Sequence, residues 1–428
     1  MFDEQMIEKL VAKENYSRNP EEVKKLRHQA IIMAHKHHLQ NNAFYRDYCS
    51  TKGIAEDITS NQFPLLLIPD STFKSYEMEN PEKVPEEFKK WVDRISSTNI
   101  NFSPKKCGKL EDLLKQFDEN GLRLGFSSGT MGKLTFLPRD KYTQNMIKKS
   151  YKESVLAKVD LSIGKDFFVL GIPEQTFLQV GFNGRVTAEE LSPGNTHYAF
   201  GELKSDIIRL RMRGPRSFKE RIMMQIVKRA LPRVEKGARK GIIEALKANK
   251  NRRIIFMAPP FLIVDIAKTI IEENIDLKLT EDSILASTGG FKGRTVTSRT
   301  EMNELIKKSF GITPDRYLDL YGMTESNSII MECPEGNEKH IPPWMEVILF
   351  NEDMEPLPQE GEVTGRYGFL EPSSKSFPGF ILTGDLITVN YDGCSACGRK
   401  TPIVTKIGRA PTVEGRGCSG VLSKTVST

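Results

Sequence analysis

Two clusters in this chain have residue types and spacings that could do chemistry. The first is Ser127-Ser128-Gly129-Thr130-Met131-Gly132-Lys133. An apolar run ends at Phe126 and another resumes at Leu134, so a strand breaks into a turn of small and hydroxylated residues. Such a turn exposes consecutive backbone N–H groups, and Ser127, Ser128, Thr130 and Lys133 add hydroxyls and an ammonium, which suits a polyphosphate. It is not the usual NTPase loop. That pattern needs Gly where Ser127 stands and Ser or Thr where Leu134 stands. The second cluster pairs Cys394-Ser395-Ala396-Cys397 with Cys333 and His340. Three thiolates and one imidazole in two close pairs fit a closed tetrahedral Zn²⁺ site of structural kind, although free thiols in a turn would read the same way.

The elements that must position these groups alternate. Apolar spacing at Val23, Leu26, Ala30, Ile31 and Ala34 predicts a helix within residues 1–50. Residues 141–158 read as an amphipathic helix, 167–172 as a buried strand, 254–257 as a strand and 263–273 as a helix. The segment between them reads as helices broken near Pro215, Pro232 and Gly237. The pattern argues for an α/β fold with mostly parallel sheets. His35-Lys36-His37-His38 looks like a metal site but has no partner at ligand spacing, so it is expected to be a solvated helix end. Ile284 to Phe291 is another strand ending in glycines, Gly289 and Gly290. At the carboxyl end of a parallel strand such a turn lets a flat ring approach the backbone. A tight turn requiring positive φ is the plainer alternative.

Further motifs follow in a fixed order: Tyr321-Gly322-Met323-Thr324-Glu325, then Thr383-Gly384-Asp385, then Gly408-Arg409. Together with the Ser127 loop they resemble the adenylate-forming superfamily of acyl-CoA synthetases, peptide-synthetase adenylation domains and luciferases. The resemblance extends over nearly the whole chain. It implies that Ser127, Ser128, Gly129, Thr130, Gly132 and Lys133 hold the ATP phosphates. Gly289, Gly290, Phe291, Tyr321 and Gly322 would line the adenine pocket, and Asp385 and Arg409 would hold the ribose. Thr324 would face the α-phosphate and Glu325 would bind Mg²⁺, which offsets the repulsion when a carboxylate attacks a phosphate. Phe256, Phe261 and Phe291 are candidate lining for the acid.

Asn42 to Arg46, Gly53-Ile54 and the Cys394 knuckle resemble phenylacetate-CoA ligases, some of whose relatives bind structural zinc. Residues 63–74, Phe63-Pro64-Leu65 through Phe73-Lys74, resemble the acyl-protein synthetases of bacterial luciferase systems. The implied fold is a large domain of stacked, mostly parallel sheets flanked by helices, with a smaller β-rich part. Residues 1–405 would form that domain: 1–120 a helical part, 121–330 the nucleotide-binding core and 331–405 the β-rich part. Residues 406–428 would be a hinge remnant and tail in place of the usual mobile C-terminal domain and its lysine. In acyl-protein synthetases the acyl group passes to a cysteine near the C-terminus, which here would be Cys418. Glycines flank it and Arg416 is near enough to lower its pKa. An incidental surface cysteine is the alternative.

Composition excludes several classes. The net charge of +6 is local: residues 209–240 hold twelve Lys and Arg against Glu220 and Glu235, and the remainder is slightly acidic. One aromatic in that segment, Phe218, and no binding motif argue against nucleic acid. A solvated helix face or a docking patch for an acidic partner are the two readings of the segment. No apolar run is long enough to span a bilayer, and the six cysteines do not make a disulfide framework. The expectation is therefore a cytoplasmic ligase that uses ATP, Mg²⁺ and a carboxylic acid, most simply a fatty acid. Its thioester would pass to an acyl reductase or acyl carrier. A CoA or carrier-protein ligase with its missing domain supplied in trans, and a catalytically degenerate scaffold, are the alternatives.

Overall fold

The structure, a computed structural model, describes residues 2–127, 133–289 and 297–409. These fall into two units: Met1–Glu153 with Met323–Ser328 and His340–Thr428, and Ser154–Gly322 with Ile329–Lys339.

The first unit opens with helices α1 (Glu4–Leu10), α2 (Pro20–Asn41) and α3 (Ala43–Lys52). Asn19 starts α2 by accepting the Glu21 and Glu22 N–H groups, and Pro20 takes the first helical position, where a missing N–H costs nothing. Its buried stripe runs Val23, Ala30, Ile31, Ala34, His35, His38. The histidines are thus not a solvated helix end: the three- and four-residue spacing carries them into the core. There His35 Nδ1 meets the Tyr45 hydroxyl at 2.9 Å and His38 Nδ1 the Ser97 hydroxyl at 2.7 Å. Burial holds the pKa of His38 well below its ordinary value, so it packs as a neutral ring.

Strand β1 (Ile68–Pro69) is followed by α4 (Pro85–Ile95), α5 (Leu110–Glu119) and the hairpin β2 (Leu122–Ser127) and β3 (Thr135–Asp140), with Ser127 opposite Thr135. An aromatic cluster packs against this hairpin. Phe136 lies 5.3 Å from Phe88 and 5.4 Å from Tyr76, ring to ring, and Phe88 in turn meets Phe117. Helix α6 (Lys141–Leu156) then leads out of the first unit, as its amphipathic pattern predicts.

The second unit is the parallel α/β part. In chain order it contains β4 (Phe167–Gln175), α7 (Gln179–Leu191), β5 (Thr196–Glu202), α8 (Ser205–Arg213) and α9 (Phe218–Ala248). It continues with β6 (Ile254–Ala258), α10 (Pro260–Glu272), β7 (Ile284–Thr288), α11 (Arg299–Phe310), β8 (Tyr317–Tyr321) and β9 (Ile330–Glu332). The strand order is β9-β8-β7-β6-β4-β5, parallel except for β9. Helices α10 and α11 cover a core built on Phe256, Ile263, Leu285 and Phe310. Helix α9 is unbroken at Pro232 and Gly237, contrary to the sequence expectation. The carbonyl that Pro232 frees lies on an exposed stretch where water can take it.

The chain returns to the first unit through β10 (Lys339–His340), and β11 (Glu346–Phe350), β12 (Glu362–Leu370), β13 (Phe380–Asn390) and β14 (Ile403–Arg409) form an antiparallel meander. Helix α2 is tied to β11 by charge. Arg27 Nε lies 2.6 Å from Glu346, His28 Nε2 3.3 Å from the same oxygen, and Gln359 donates to the other oxygen at 2.9 Å. Burial would raise the pKa of Glu346, but Arg27, with His28 and Gln359, brings it down to about 2. A carboxyl depressed in the folded state adds stability above its unfolded pKa and loses it as pH falls through the folded one. Arg27→Met should therefore cost about 3 kcal/mol at neutral pH. The deficit should shrink between about pH 4.5 and pH 2, as urea unfolding at a series of pH values would report.

Candidate functional site

The hairpin of β2 and β3 presents the phosphate-binding candidate. Of its residues, Ser127 and Lys133 are described, at the two arms, while Ser128, Gly129, Thr130 and Gly132 lie outside the described residues. Tyr76 holds the returning arm. Its hydroxyl accepts the Leu134 N–H at 3.1 Å, its carbonyl accepts the Lys133 ammonium at 2.7 Å, and its ring lies 5.4 Å from that ammonium. Lys133 is exposed.

Residues 323–328 form a turn that carries Thr324 and Glu325, and two buried groups of the same unit fix it. Arg139 on β3 is wholly buried. It donates to the Thr324 carbonyl at 2.6 Å and to the Asn327 side chain at 3.3 Å, with its guanidinium 5.2 Å from the Phe377 ring. Burial lowers its pKa to about 10, against the pull of Glu325 and Glu371, so it stays charged at neutral pH. Glu371, also buried, accepts from the Ser326 hydroxyl at 2.9 Å, the Asn327 N–H at 2.8 Å, the Ser373 hydroxyl at 3.1 Å and the Ser328 hydroxyl. Trp344 secures Ser328 from the other side at 2.8 Å.

Glu325 is left with a raised pKa. Burial is the first cause and the Asp70 carboxylate the second, with Lys74 and Arg139 opposing. A buried carboxylate beside another carboxylate is the donor chemistry that a hard divalent cation relieves, so the residues present fit Mg²⁺.

Asp385 and Arg409 face each other across β13 and β14, register partners with Nη1 and Oδ1 3.1 Å apart. The arginine is largely exposed and the aspartate mostly covered. The Asp385 N–H bonds to the Thr383 hydroxyl, which itself donates to the Tyr367 carbonyl. Such a pair contributes under ~1 kcal/mol to stability.

In the second unit, Thr288 and Leu320 are paired at the carboxyl ends of the parallel strands β7 and β8. Gly289 and Tyr321 follow immediately on the same edge. Gly289 has φ of +83°, a conformation that side chains resist, and no Cβ obstructs the approach to its backbone. Ser287, Asp319 and Tyr317 brace the strands beneath: Ser287 donates to Asp319 at 2.6 Å and receives from Tyr317 at 2.9 Å. Gly322 closes the edge, whereas Gly290 and Phe291 lie outside the described residues. Phe256 is not acid-pocket lining, since β6 turns it into the core against Phe310, and Phe261 packs on the same cluster.

The knuckle is built as its spacing suggests. The side-chain ligand atoms of His340, Cys394 and Cys397 lie within 4.8 Å of one another, with His340 Nε2 3.4 Å from Cys397 Sγ. His340 Nδ1 bonds to the Thr401 hydroxyl at 2.9 Å, which orients the ring and leaves Nε2 toward the thiols. The turn closes through Cys394 N–H to the Arg399 carbonyl and Gly398 N–H to the Cys394 carbonyl. Gly393 makes this possible: its φ is +91° and a Cβ would meet the Arg399 carbonyl at 2.6 Å. Burial opposes ionisation of Cys397, but bonds from Arg399 and Cys394 bring its pKa below the usual thiol value. Cys333 is buried in the second unit at the start of the turn after β9, with its N–H on the Glu338 carbonyl at 3.0 Å. Cys418 lies outside the described residues.

Arg139, Glu371, Asp70 and Tyr76 are site residues that no motif marks. An Arg following the apolar run Phe136-Leu137-Pro138 and a lone Glu followed by serines are the faint signals they leave.

Comparison with known proteins agrees with this geometry. Residues 238–427 match the family described as acyl-protein synthetase, LuxE. An Aliivibrio fischeri protein named long-chain-fatty-acid–luciferin-component ligase is 28% identical over 142 residues, 32% of this chain and 37% of that protein. The Vibrio harveyi protein of the same name is 26% identical over 174 residues, 38% and 45% of the two chains. The matched stretch spans less than half the length of either relative. Among solved structures, 2-hydroxyisobutyryl-CoA ligase with its acyl-AMP and CoA superposes in an open conformation with a TM-score of 0.58. That match has 15% identity and covers 90% of this chain and 69% of the ligase. The thioester-forming state of the same ligase gives 0.58 at 14% identity, with the same coverage. The chain has the adenylate-forming ligase fold.

The pinning of the Thr324 turn is open to test. Glu371→Ala leaves four donors short of their acceptor and should cost about 3 kcal/mol. Hydrogen exchange at Asn327 should accelerate in Glu371→Ala and to a lesser degree in Glu371→Gln. Unchanged protection in both would show that Glu371 does not hold the turn.

Proposed function

We propose that this protein activates a carboxylic acid, in our reading a fatty acid, with ATP and passes the acyl group to a protein thiol. The observation that carries the proposal is the buried clamp of Arg139 and Glu371 on a turn bearing Thr324 and Glu325, within the adenylate-forming fold and beside a family match to acyl-protein synthetases. In the first step an oxygen of the acid attacks the α-phosphorus of ATP, the bond to the β-phosphate oxygen breaks, and pyrophosphate leaves. Ser127 and Lys133, together with Ser128, Gly129, Thr130 and Gly132, hold phosphate oxygens. Asp385 accepts from the ribose hydroxyls, with Arg409 fixing its direction, and Tyr321 lies against the adenine with Gly289, Gly290, Phe291 and Gly322. Thr324 donates to the α-phosphate. Glu325 would hold Mg²⁺, which supplies positive charge to offset repulsion between the acid and the phosphates. In the second step a thiolate, proposed to be that of Cys418, attacks the acyl carbon and AMP leaves. An acyl reductase or acyl carrier is the proposed recipient, since a thioester is reactive toward both.

We also propose that His340, Cys394 and Cys397 bind structural Zn²⁺ with Cys333 as fourth ligand. The thiolate and imidazole donors support this, as does the tautomer set by Thr401.

Intact-mass analysis after incubation with Mg-ATP and a mixture of fatty and aromatic acids tests the transfer. A hydroxylamine-labile adduct should form on the wild type and vanish in Cys418→Ser. Pyrophosphate release without any adduct would replace Cys418 with an external thiol, and ATP binding without release would leave a scaffold. Glu325→Gln should slow acid-dependent pyrophosphate exchange about 10²- to 10³-fold while leaving the unfolding midpoint near wild type. For the metal, elemental analysis should find one zinc per chain, lost with a lower unfolding midpoint in Cys394→Ser, Cys397→Ser. A metal-free wild type would sink that assignment.

A further inference from the structure

A cavity of about 180 Å³ lies in the first unit beside the pair of Arg27 and Glu346, and no step of the proposed reaction uses it. The start of α2 and the residues before it form one wall, and residues 341–347 form another. Tyr391 and residues 400–402 complete the lining. Glu21 and Lys400 are exposed, so the cavity meets solvent where they stand.

Most of the lining is apolar and stiff. Tyr16 is buried there, and Pro20, Pro342, Pro343 and Pro402 add rings that hold the space open rather than close on it. The polar part is small and consists of donors. The Tyr391 hydroxyl is buried yet has no hydrogen-bond partner among the described residues. Burial, and then the Glu346 carboxylate, push its pKa up, so at neutral pH it keeps a proton to donate. Lys24 is half-buried, and neither it nor Lys400 pairs with a carboxylate among the described residues. Glu346 does not answer them, because Arg27 and Gln359 already engage its two oxygens. A buried hydroxyl with its donor unused, in the same cavity as two ammonium groups, is half of a site for an oxyanion.

We propose that this cavity binds a small monocarboxylate with a compact apolar body. The carboxylate would take the Tyr391 hydroxyl and the Lys24 ammonium, with Lys400 at the mouth, and the body would lie against the tyrosine and proline rings. Size sets the body: roughly 150 Å³ takes a benzene-sized guest. The space found here therefore admits a ring bearing a carboxylate and excludes a long acyl chain. Charge sets the head. Phosphate would turn its further oxygens to prolines, which have no N–H to offer. A neutral guest would leave the lysines unmatched. The proposal is independent of the reading of the catalytic site.

Isothermal titration calorimetry on the full chain without ATP tests it, with benzoate as the probe. One benzoate should bind per chain, benzamide at least tenfold more weakly, and inorganic phosphate not at all. Lys24→Gln and Tyr391→Phe should each weaken benzoate about tenfold. Tyr391→Phe removes a hydroxyl that has no partner, so its unfolding midpoint should not fall, which separates a lost contact from a lost fold. Benzoate binding that neither substitution weakens puts the acid elsewhere on the chain and overturns the proposal. Absence of benzoate binding overturns it in favour of water as the only occupant, and phosphate binding as tight as benzoate overturns it in favour of a general anion site.

Discussion

A buried carboxylate organises the first unit. Glu371 has no cation within its own hydrogen bonds; hydroxyls and a backbone N–H from Ser326, Asn327, Ser328 and Ser373 satisfy it instead. Burial raises its pKa, which measures how much those donors must supply. Because three of the donors lie in the five residues that start at Thr324, satisfying Glu371 and shaping the Thr324 turn are the same event. Arg139 repeats the device from the other side through the Thr324 carbonyl. A turn on a surface loop would otherwise sample many conformations. Here leaving its geometry means stranding a buried charge.

The remaining candidates are placed by regular backbone rather than by buried charge. Asp385 and Arg409 face each other because β13 and β14 pair in one register, and a one-residue slip would send one of them to the opposite face. Gly289 and Tyr321 share an edge because β7 and β8 are parallel and end together. In α/β sheets that edge is where ligands approach. The His340 and Cys394 turn depends on Gly393 and Gly398, which tolerate the left-handed conformations that bring the two thiols round.

Stability and exposure are divided in the same spirit. The second unit buries α10 and α11 on its sheet, whereas the buried residues of α9 all lie in its C-terminal third. Pro232 is tolerated there because it and Lys228, whose carbonyl it frees, are exposed and water can take that carbonyl. The capping box of Ser217 and Glu220 does the work that burial does elsewhere.

Much of this protein was legible in its sequence because the relevant physics is local. The strands that flank the Ser127 loop, the Tyr321-to-Glu325 turn, the Thr383-Gly384-Asp385 strand and the cysteine knuckle are contiguous segments whose residue types specify local backbone shape within a few residues. Helix and strand periods likewise located α6, β4 and β6. What only the tertiary structure decided is which side chains lose their water. His35 and His38 became core residues because Tyr45 and Ser97 came to meet them. Phe256 became core rather than pocket because of the face β6 turned to α11. Arg139 and Glu371, the two groups on which the Thr324 turn rests, are separated by more than two hundred residues, and no local pattern marks either. Desolvation is a property of the assembled neighbourhood, so the charges whose burial matters most could be found only after the chain had folded.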